Sequence, residues 1–276
     1  MRPRILLLVA VLIVSGAFHL RADSLAALRS WINLAMQMFP RFHHPLPYPA
    51  PPPAAEWQPL GPAQRLASVR ERLLPRLHDE LAAKGLKLGQ PAYIRVFKES
   101  RELELWMKGG DARWALFHTY PIACFSGTLG PKTREGDMQA PEGFYDVVRK
   151  RLNPASNYHL SFNIGYPNAH DRHHRRTGSH IMVHGSTVSV GCFAMTDPLI
   201  EEIYLVVEAA LKSDTATVPV HAFPFRMTAE RMQKAGAEGS PHVDFWRSLQ
   251  EAHDSFDKTR KVPRVSTRAG RYVVEH

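Results

Sequence analysis

Apolar residues recur at helical spacing in two separate parts of the chain. The first is the range 63–84, and Gly85, a residue typical of helix ends, is predicted to terminate it. Pro75 lies inside this range and is expected to kink the helix. The second range, 198–212, follows Asp197, which we expect to cap the N-terminus of its helix. The pattern therefore predicts two amphipathic helices far apart in sequence.

A period of two in the apolar residues predicts β-strands between these helices and just after the second. The predicted strands cover residues 93–98, 102–108, 114–125, 144–148, 158–164, 180–184 and 218–225. The range 127–142 is rich in glycine and proline and predicts a loop, whereas 226–258 predicts a helical region with breaks. Many strands with few helices favour a β-rich α+β fold.

The first 22 residues have the composition of an export signal. Arg2 and Arg4 precede an apolar run over 5–18 that is short for a membrane span. The segment is predicted to be either a cleaved signal peptide or a retained signal anchor. In both cases the rest of the chain is exported, which in a bacterium means the periplasm or cell envelope, and the anchor would tether it to the inner membrane.

The patterns divide the chain into five predicted segments. After the export signal come an amphipathic stretch with a proline-rich linker, a helical lead-in, a strand-rich domain, and a C-terminal helical extension with a tail. Their boundaries are 1–22, 23–62, 63–91, 92–225 and 226–276. Because proline-rich chain is stiff and extended, the linker is expected to act as a spacer.

The formal net charge of the chain is +9, from 35 basic and 26 acidic residues. Such a charge is compatible with nucleic-acid binding, but an exported protein rarely meets nucleic acid, and the aromatic residues lack the spacing of an RNA-binding strand motif. We therefore predict no nucleic-acid partner. The charge indicates either attraction to an anionic envelope polymer or simply a solvated basic face.

The candidate chemistry lies between His184 and Cys192. A thiol with an ordinary pKa is mostly protonated at neutral pH, so a nucleophilic cysteine needs a base nearby. His184 stands eight positions before Cys192, and the turn between them is expected to bring their side chains together. Gly191 permits close backbone approach, and the N–H groups of Gly191 and Cys192 are expected to donate to an oxyanion. The alternative is a small buried cysteine and a core histidine.

Other chemistries fit the sequence less well. A group of histidines raises a metal site as an alternative: His170, His173, His174, His180 and His184. His180 and His184 are about 13 Å apart on a strand, and no glutamate stands where a zinc hydrolase needs one. We interpret 171–176 as a basic loop beside the active site, and we predict no metal or cofactor.

A serine hydrolase is disfavoured, since no Gly-x-Ser-x-Gly motif is present. Cys124 is expected to be a buried strand thiol, with Cys192 free.

Several separated motifs make residues 92–273 resemble the L,D-transpeptidase catalytic domain, the YkuD family, and within it the YafK branch. The motifs are 93–99, 127–132, 136–137, 140–145, 163–169, the block from His184 to Cys192 continuing to Asp197, 224–228, 244–246 and 259–261. Agreement spread over about two thirds of the chain is far more specific than a single Gly-Cys pair.

The resemblance implies a β-sandwich-like catalytic domain with flanking helices. It implies that Cys192 attacks a peptide carbonyl beside meso-diaminopimelate in peptidoglycan and forms a thioester, which an amine or water resolves. His184 would be the general acid/base, the carbonyl of Gly185 would orient its ring, and Ser189, at the serine/threonine position of the family signature, would bind substrate. The YafK branch includes an amidase that releases the Braun lipoprotein from peptidoglycan, so the expected partners are peptidoglycan and such a lipoprotein.

Two departures from the family pattern bear on the reaction. Val190 stands where most members have a histidine, and Ala194 stands where many have an arginine. Arg172 and Arg176 are therefore candidates for binding the substrate carboxylates. We predict an amidase, with two alternatives: a true L,D-transpeptidase that forms 3–3 cross-links or attaches lipoprotein, and a non-catalytic envelope-binding module.

Overall fold

The computed structural model of the chain describes residues 60–110, 112–213 and 215–275. The predicted export signal over 1–22 and nearly all of the segment 23–62 lie outside the described residues. Among the helices that are described, none is both long and apolar enough to cross a membrane.

Five α-helices and eleven β-strands make up the described part of the chain. The helices are α1 (Pro62–Ala83), α2 (Ala169–His173), α3 (Asp197–Lys212), α4 (Ala229–Ala237) and α5 (Val243–Thr259). The strands are β1 (Ala92–Phe97), β2 (Glu102–Lys108), β3 (Trp114–Pro121), β4 (Gly143–Val147), β5 (Leu152–Asn153), β6 (Ser161–Asn163), β7 (Met182–His184), β8 (Phe193–Ala194), β9 (Val218–Phe223), β10 (Arg264–Arg268) and β11 (Arg271–Glu275).

Helix α1 has the apolar face that its sequence predicts. Its buried side chains are Leu66, Val69, Leu73, Leu77 and Leu81. Gly85 follows the helix with a φ of 67°, and the N–H of Leu86 donates to the carbonyl of Leu81, so the predicted end is confirmed. Pro75 lies inside the helix and does not end it.

The larger sheet has the order β3-β2-β1-β9-β4. Strands β1 and β9 are parallel, and the other neighbours are antiparallel. Every residue of β1 is buried, because both faces of the sheet are covered. Tyr93 and Phe97 of β1 pack with Phe256 and Trp246 of α5 in apolar clusters, while α3 contacts β1 and β9.

A second sheet carries the candidate site and has the order β5-β6-β7-β8. Helix α3 contacts both β6 and β7 of this sheet as well as β1 and β9 of the larger one. The isolated bridge between Cys124 and Ala194 joins the chain after β3 to β8. With mixed sheets and flanking helices, the predicted α+β class is confirmed.

The C-terminal region differs from its prediction. Helices α4 and α5 replace the broken helical region, but a hairpin of β10 and β11 follows them where a tail was expected. Tyr272 of β11 packs its ring against Phe144 at 4.6 Å between centroids, and its hydroxyl leaves no room for a side chain at Gly143. The hairpin is therefore part of the domain, not an appendage.

Three local predictions around the second sheet are wrong in detail. Thr196 is the N-cap of α3, and the carboxylate of Asp197 accepts a hydrogen bond from the N–H of Ser186 instead of capping the helix. Part of the loop expected over 171–176 is helix α2, because the side chain of Asn168 accepts from the N–H of Asp171 and starts a helical turn. The predicted strand 180–184 begins only at Met182.

Candidate active site

Strands β7 and β8 bring the predicted base and nucleophile to one place. They pair in parallel, with Val183 opposite Phe193 and His184 opposite Ala194. Cys192 directly precedes β8. The seven residues between His184 and Cys192 thus loop out and return, as the sequence predicted, so that the two residues lie on neighbouring stretches of backbone.

The thiol of Cys192 is held against the first residues of β7. Its Sγ accepts from the N–H of Met182 at 3.4 Å and donates to the carbonyl of His180 at 3.5 Å. His184 lies two residues after Met182, and in a strand such residues share a face and are about 6.6 Å apart. The length of an imidazole side chain is suited to this separation.

A backbone hydrogen bond fixes the tautomer of His184. Nδ1 of the ring lies 2.6 Å from the carbonyl oxygen of Gly185, as the sequence led us to expect. Since a carbonyl only accepts, Nδ1 carries the hydrogen and Nε2 keeps its lone pair. Among the described residues no hydrogen bond occupies Nε2, so this nitrogen is able to accept a proton.

Tyr158 covers the imidazole of His184. The two ring centroids are 4.8 Å apart with the planes tilted by 36°, and the carbonyl of Tyr158 accepts the N–H of Gly185 at 3.0 Å. Tyr158 therefore holds both the ring and the backbone that orients it. Tyr158 begins the predicted strand 158–164, but nothing in the sequence indicates its contact with His184.

Gly185 is confined on all sides. A Cβ atom at this position would collide with Oδ1 of Asp197 and lie 2.8 Å from the carbonyl oxygen of Tyr158. The start of α3 thus packs directly against the residue that orients the base. Any other amino acid at Gly185 would push α3 away or turn the carbonyl from His184.

Two serine hydroxyls fix the loop that carries the thiol. Ser189, which was expected to bind substrate, donates its hydroxyl to the carbonyl of Cys192 at 2.6 Å. Ser126 accepts the N–H of Gly191 at 2.6 Å, so the expectation that this N–H serves an oxyanion does not hold in the structure. Among the described residues the N–H of Cys192 has no acceptor, so it is free to donate to an oxyanion. Ser126 was not identified from the sequence.

Burial makes the resting pair electrically neutral. Burial raises the pKa of the Cys192 thiol, against smaller opposing effects from the Met182 N–H and the charge of Lys132. Burial lowers the pKa of His184, although its bond to Gly185 and the charge of Asp197 act in the other direction. A neutral thiol beside a neutral imidazole is suited to general-base activation, in which the proton leaves as sulfur attacks.

A cavity of about 100 Å³ lies next to residues that hold the thiol in place, although Cys192 itself does not line it. Its lining includes His180 and Ile181, next to the carbonyl that accepts from Sγ, and Val190, two residues before Cys192. Lys132 and Glu135 are the other charged side chains of the lining. In the sequence, Lys132 lies in the predicted loop 127–142 and ends the family motif 127–132, but nothing there indicates a role in the site.

Arg172 and Arg176 do not reach this cavity. The guanidinium of Arg176 donates to Asp171 at 2.9 Å and lies over the ring of Phe245 at 5.0 Å. That of Arg172 donates to the carbonyl of Pro167. Neither residue lines the cavity, so their suggested binding of substrate carboxylates has no support from position.

Two histidines of the group considered for a metal site pack against the C-terminal hairpin, whereas His180 lines the cavity. His170 stacks on Tyr272 at 4.1 Å between centroids, and His174 binds the carbonyl of Gly270 at 2.8 Å. Among the described residues, the group with ligand atoms close enough for a metal is a different one: Glu80, His118 and Glu202. Arg76 already pairs with both of these carboxylates, at 3.4 and 2.9 Å, which neutralises the charge that would attract a cation.

Both cysteines are free thiols. Cys124 pairs with Ala194 through the backbone, and the N–H of Ala194 donates to the carbonyl of Cys124 at 2.9 Å. The reactive thiol and the structural one are thus on adjacent backbone segments without a covalent link.

Comparison with known proteins gives two sequence matches of high specificity. The L,D-transpeptidase catalytic domain of the YkuD type matches residues 91–221. YafK of Escherichia coli K12, named for an expected L,D-transpeptidase activity, is 46% identical over 187 residues, which cover 68% of this chain and 75% of YafK. YafK of Escherichia coli O157:H7 matches to the same extent.

Two solved structures are more distant. The helical cell shape determining protein Pgp2 of Campylobacter jejuni has 18% identity and a TM-score of 0.40, with 69% of this chain and 79% of Pgp2 covered. Bd1075 of Bdellovibrio bacteriovorus has 19% identity and a TM-score of 0.36, with 66% of this chain and 81% of Bd1075 covered.

The range matched by the catalytic domain contains the histidine–cysteine pair, with its tautomer fixed and its thiol positioned. Together with the extent of identity to YafK, this match establishes that the chain belongs to the L,D-transpeptidase (YkuD) family, an enzyme family that acts on peptidoglycan.

Proposed function

We propose that this chain is an exported cysteine amidase that cleaves an amide bond at meso-diaminopimelate in peptidoglycan through a Cys192 thioester. The observation that carries the proposal is the hydrogen bond from Nδ1 of His184 to the carbonyl of Gly185, at 2.6 Å. It leaves Nε2 as the proton acceptor beside a thiol that the backbone of β7 holds in place.

The first half of the reaction forms the thioester. Nε2 of His184 takes the thiol proton while Sγ of Cys192 attacks the carbonyl carbon, and the N–H of Cys192 donates to the oxyanion that results. The carbon–nitrogen bond then breaks, and His184 gives its proton to the departing amine. The acyl group stays on sulfur, and the imidazole is neutral again.

The second half releases the acyl group. His184 takes a proton from water as the water oxygen attacks the thioester carbonyl, the carbon–sulfur bond breaks, and the thiol is regenerated with the proton from His184. The products are a free amine and a free diaminopimelate carboxylate. Resemblance to the YafK branch supports water as the acceptor and a peptidoglycan-linked lipoprotein as the amine that leaves.

The proposed site of action is the periplasm. The basic, apolar N-terminal segment 1–22 supports export, either by a cleaved signal or by a retained anchor in the inner membrane. The proline-rich stretch within 23–62 would then separate the catalytic domain from the membrane.

Digestion of lipoprotein-bearing sacculi tests the proposal. The purified protein should release lipoprotein and leave muropeptides with free diaminopimelate carboxyls, and Cys192→Ala should abolish the release. Ser100→Ala, on the exposed turn between β1 and β2, is the matched control and should retain activity. Equal release by Cys192→Ala, or none by the wild type, would refute the amidase.

The second candidate is a transpeptidase, which the name of the YafK relatives favours. In the same digestion it would produce new 3–3 linked dimers or attach lipoprotein instead of releasing it. A non-catalytic envelope-binding module would bind sacculi equally well as wild type and as Cys192→Ser, with no change in muropeptides. The net charge of +9 supports such binding to an anionic polymer.

A further inference from the structure

The cavity beside Cys192 combines an apolar entrance with a buried cation. Met138 and Val190, which line it, are 54% and 69% exposed, although large apolar side chains usually avoid water. Lys132 lines the same cavity and is only 5% exposed. The buried ammonium and the apolar entrance suit a ligand with a methylene chain that ends in an anion, whereas the carboxylate of the lining, Glu135, is exposed to water.

The ammonium of Lys132 has one donor left for a ligand. Nζ donates to the carbonyl of Arg134 at 2.9 Å and to Oδ1 of Asp137 at 2.5 Å. A lysine has three N–H donors, and among the described residues the third has no acceptor. Because the charge of Lys132 also lowers the pKa of Cys192, the ammonium lies within electrostatic reach of the thiol.

The two arginines considered as carboxylate ligands form other contacts, and the position that often carries an arginine in the family holds an alanine here. Ala194, which stands where many family members carry an arginine, is fully buried and bridges to Cys124. Arg176 pairs with Asp171, and Arg172 binds a backbone carbonyl. Of the residues that line the cavity, Lys132 is the one lysine or arginine.

We propose that Lys132 binds the side-chain carboxylate of diaminopimelate while the thiol of Cys192 attacks the carbonyl at the other end of the same residue. This inference rests on the proposed function, and it names the group that recognises the acyl donor. A short methylene chain joins the two ends of diaminopimelate, and Met138 and Val190 flank the path it would take. The carboxylate then receives a charged hydrogen bond in a site largely closed to water.

Asp137 does not need Lys132 for its own stability. Its carboxylate also accepts the backbone N–H groups of Thr133, Arg134 and Gln139, at 2.8, 3.0 and 3.1 Å. These bonds hold the loop in place when the lysine is replaced. If Lys132 only stabilised the loop, its replacement would not change the preference between substrates with and without the diaminopimelate carboxylate. If Lys132 binds this carboxylate, its replacement removes the preference.

The test compares two muropeptide amides that are identical except that the side-chain carboxyl of diaminopimelate is free in one and converted to a carboxamide in the other. For the wild type, kcat/KM should be about 10- to 100-fold higher for the carboxylate, as expected for a hydrogen bond between charged groups. For Lys132→Gln the two substrates should differ by less than about threefold. A ratio within one preparation does not depend on the fraction of protein that is folded.

Arg134→Gln is the matched control, since it removes one positive charge from the same loop at an exposed position outside the cavity lining. It should keep the wild-type ratio. A Lys132→Gln enzyme that still discriminates like the wild type would overturn the inference. Failure of the proposed function itself looks different, because the wild type would then cleave neither substrate.

Discussion

The hydroxyl of Ser126 accepts the backbone N–H of Gly191 at 2.6 Å. This bond ties the residue before the nucleophile to the chain that follows β3, and it removes one of the two N–H groups expected to serve the oxyanion. The thiol is thus positioned from two directions, by the backbone of β7 and by Ser126.

Replacement of Ser126 by alanine should therefore slow acylation of Cys192. The Gly191 N–H loses its partner, which costs about 1 to 3 kcal/mol if it stays buried, and the loop gains freedom. We expect acylation by a carbapenem or a thiol-specific probe to fall by about tenfold. If the Gly191 N–H were an oxyanion donor, its release from Ser126 would leave the rate unchanged or raise it.

Replacement of Gly185 by alanine should lower both stability and activity. The new methyl group has no room between Asp197 and the carbonyl of Tyr158, and such overpacking costs about 1 to 3 kcal/mol. Urea denaturation measures the loss in the free energy of unfolding, and turnover of sacculi measures the displacement of His184.

Gly236→Ala is the matched control for this change. Gly236 lies in α4, and a Cβ atom there meets nothing within 4 Å. The same substitution should leave activity intact and stabilise the protein by up to about 1 kcal/mol. Equal losses from both variants would show that the crowding around Gly185 is unimportant.

In the pH profile of kcat/KM, activity should be lost on the acid side only at a pH below the usual pKa of histidine. Proton transfer needs neutral His184, so activity is lost as pH falls through the pKa of this residue, which burial lowers from the usual 6.5. We therefore expect the midpoint of the acid limb to lie below pH 6.5. Burial also raises the pKa of Cys192, so thiolate absorbance should appear only at alkaline pH. A thiolate visible at neutral pH would contradict a neutral resting pair.

The buried pair of Lys98 and Glu142 should contribute strongly to stability. Both side chains are fully buried, their charged atoms are 2.9 Å apart, and Nζ of Lys98 also donates to the carbonyls of Gly130 and Ala140. Lys98→Met leaves a buried carboxylate without its cation, which costs about 3 to 5 kcal/mol in the free energy of unfolding. Urea denaturation is the measurement.

An exposed ion pair provides the control for this prediction. Asp244 pairs with Arg247 at 2.8 Å, but their side chains are 94% and 67% exposed. Asp244→Asn should leave the urea midpoint almost unchanged, because water screens the pair. A small effect from Lys98→Met would mean that the loop over 127–142 opens to hydrate Glu142.

Elements with a long, regular period could be predicted from the sequence. The apolar stripe of α1 and the alternation in β2 locate both elements to within a residue or so of their ends. Strand β8 has only two residues and shows no period, so its existence depends on its pairing with β7. The hairpin of β10 and β11 was missed although Gly270, with a φ of 74°, marks its turn.

The residues of the candidate site also differ in how far the sequence identifies them. His184 and Cys192 are recognisable because a motif places them close together in sequence. Ser126, Lys132 and Tyr158 lie 26 to 66 positions away from that pair. Lys132 ends a family motif and Tyr158 begins a predicted strand, but nothing local indicates that these residues belong to the site. Asp197 was misassigned as a cap because its sequence position fits one, whereas the fold gives it the N–H of Ser186 as a partner.

Helix α1 determines where the preceding chain joins the domain. In its first turn, Arg65 donates to the carbonyls of Pro154 and Ser156, at 2.9 and 3.5 Å, just before Tyr158. A force on the chain ahead of Pro62 is therefore transmitted through Arg65 to the segment before Tyr158, the residue whose ring covers His184.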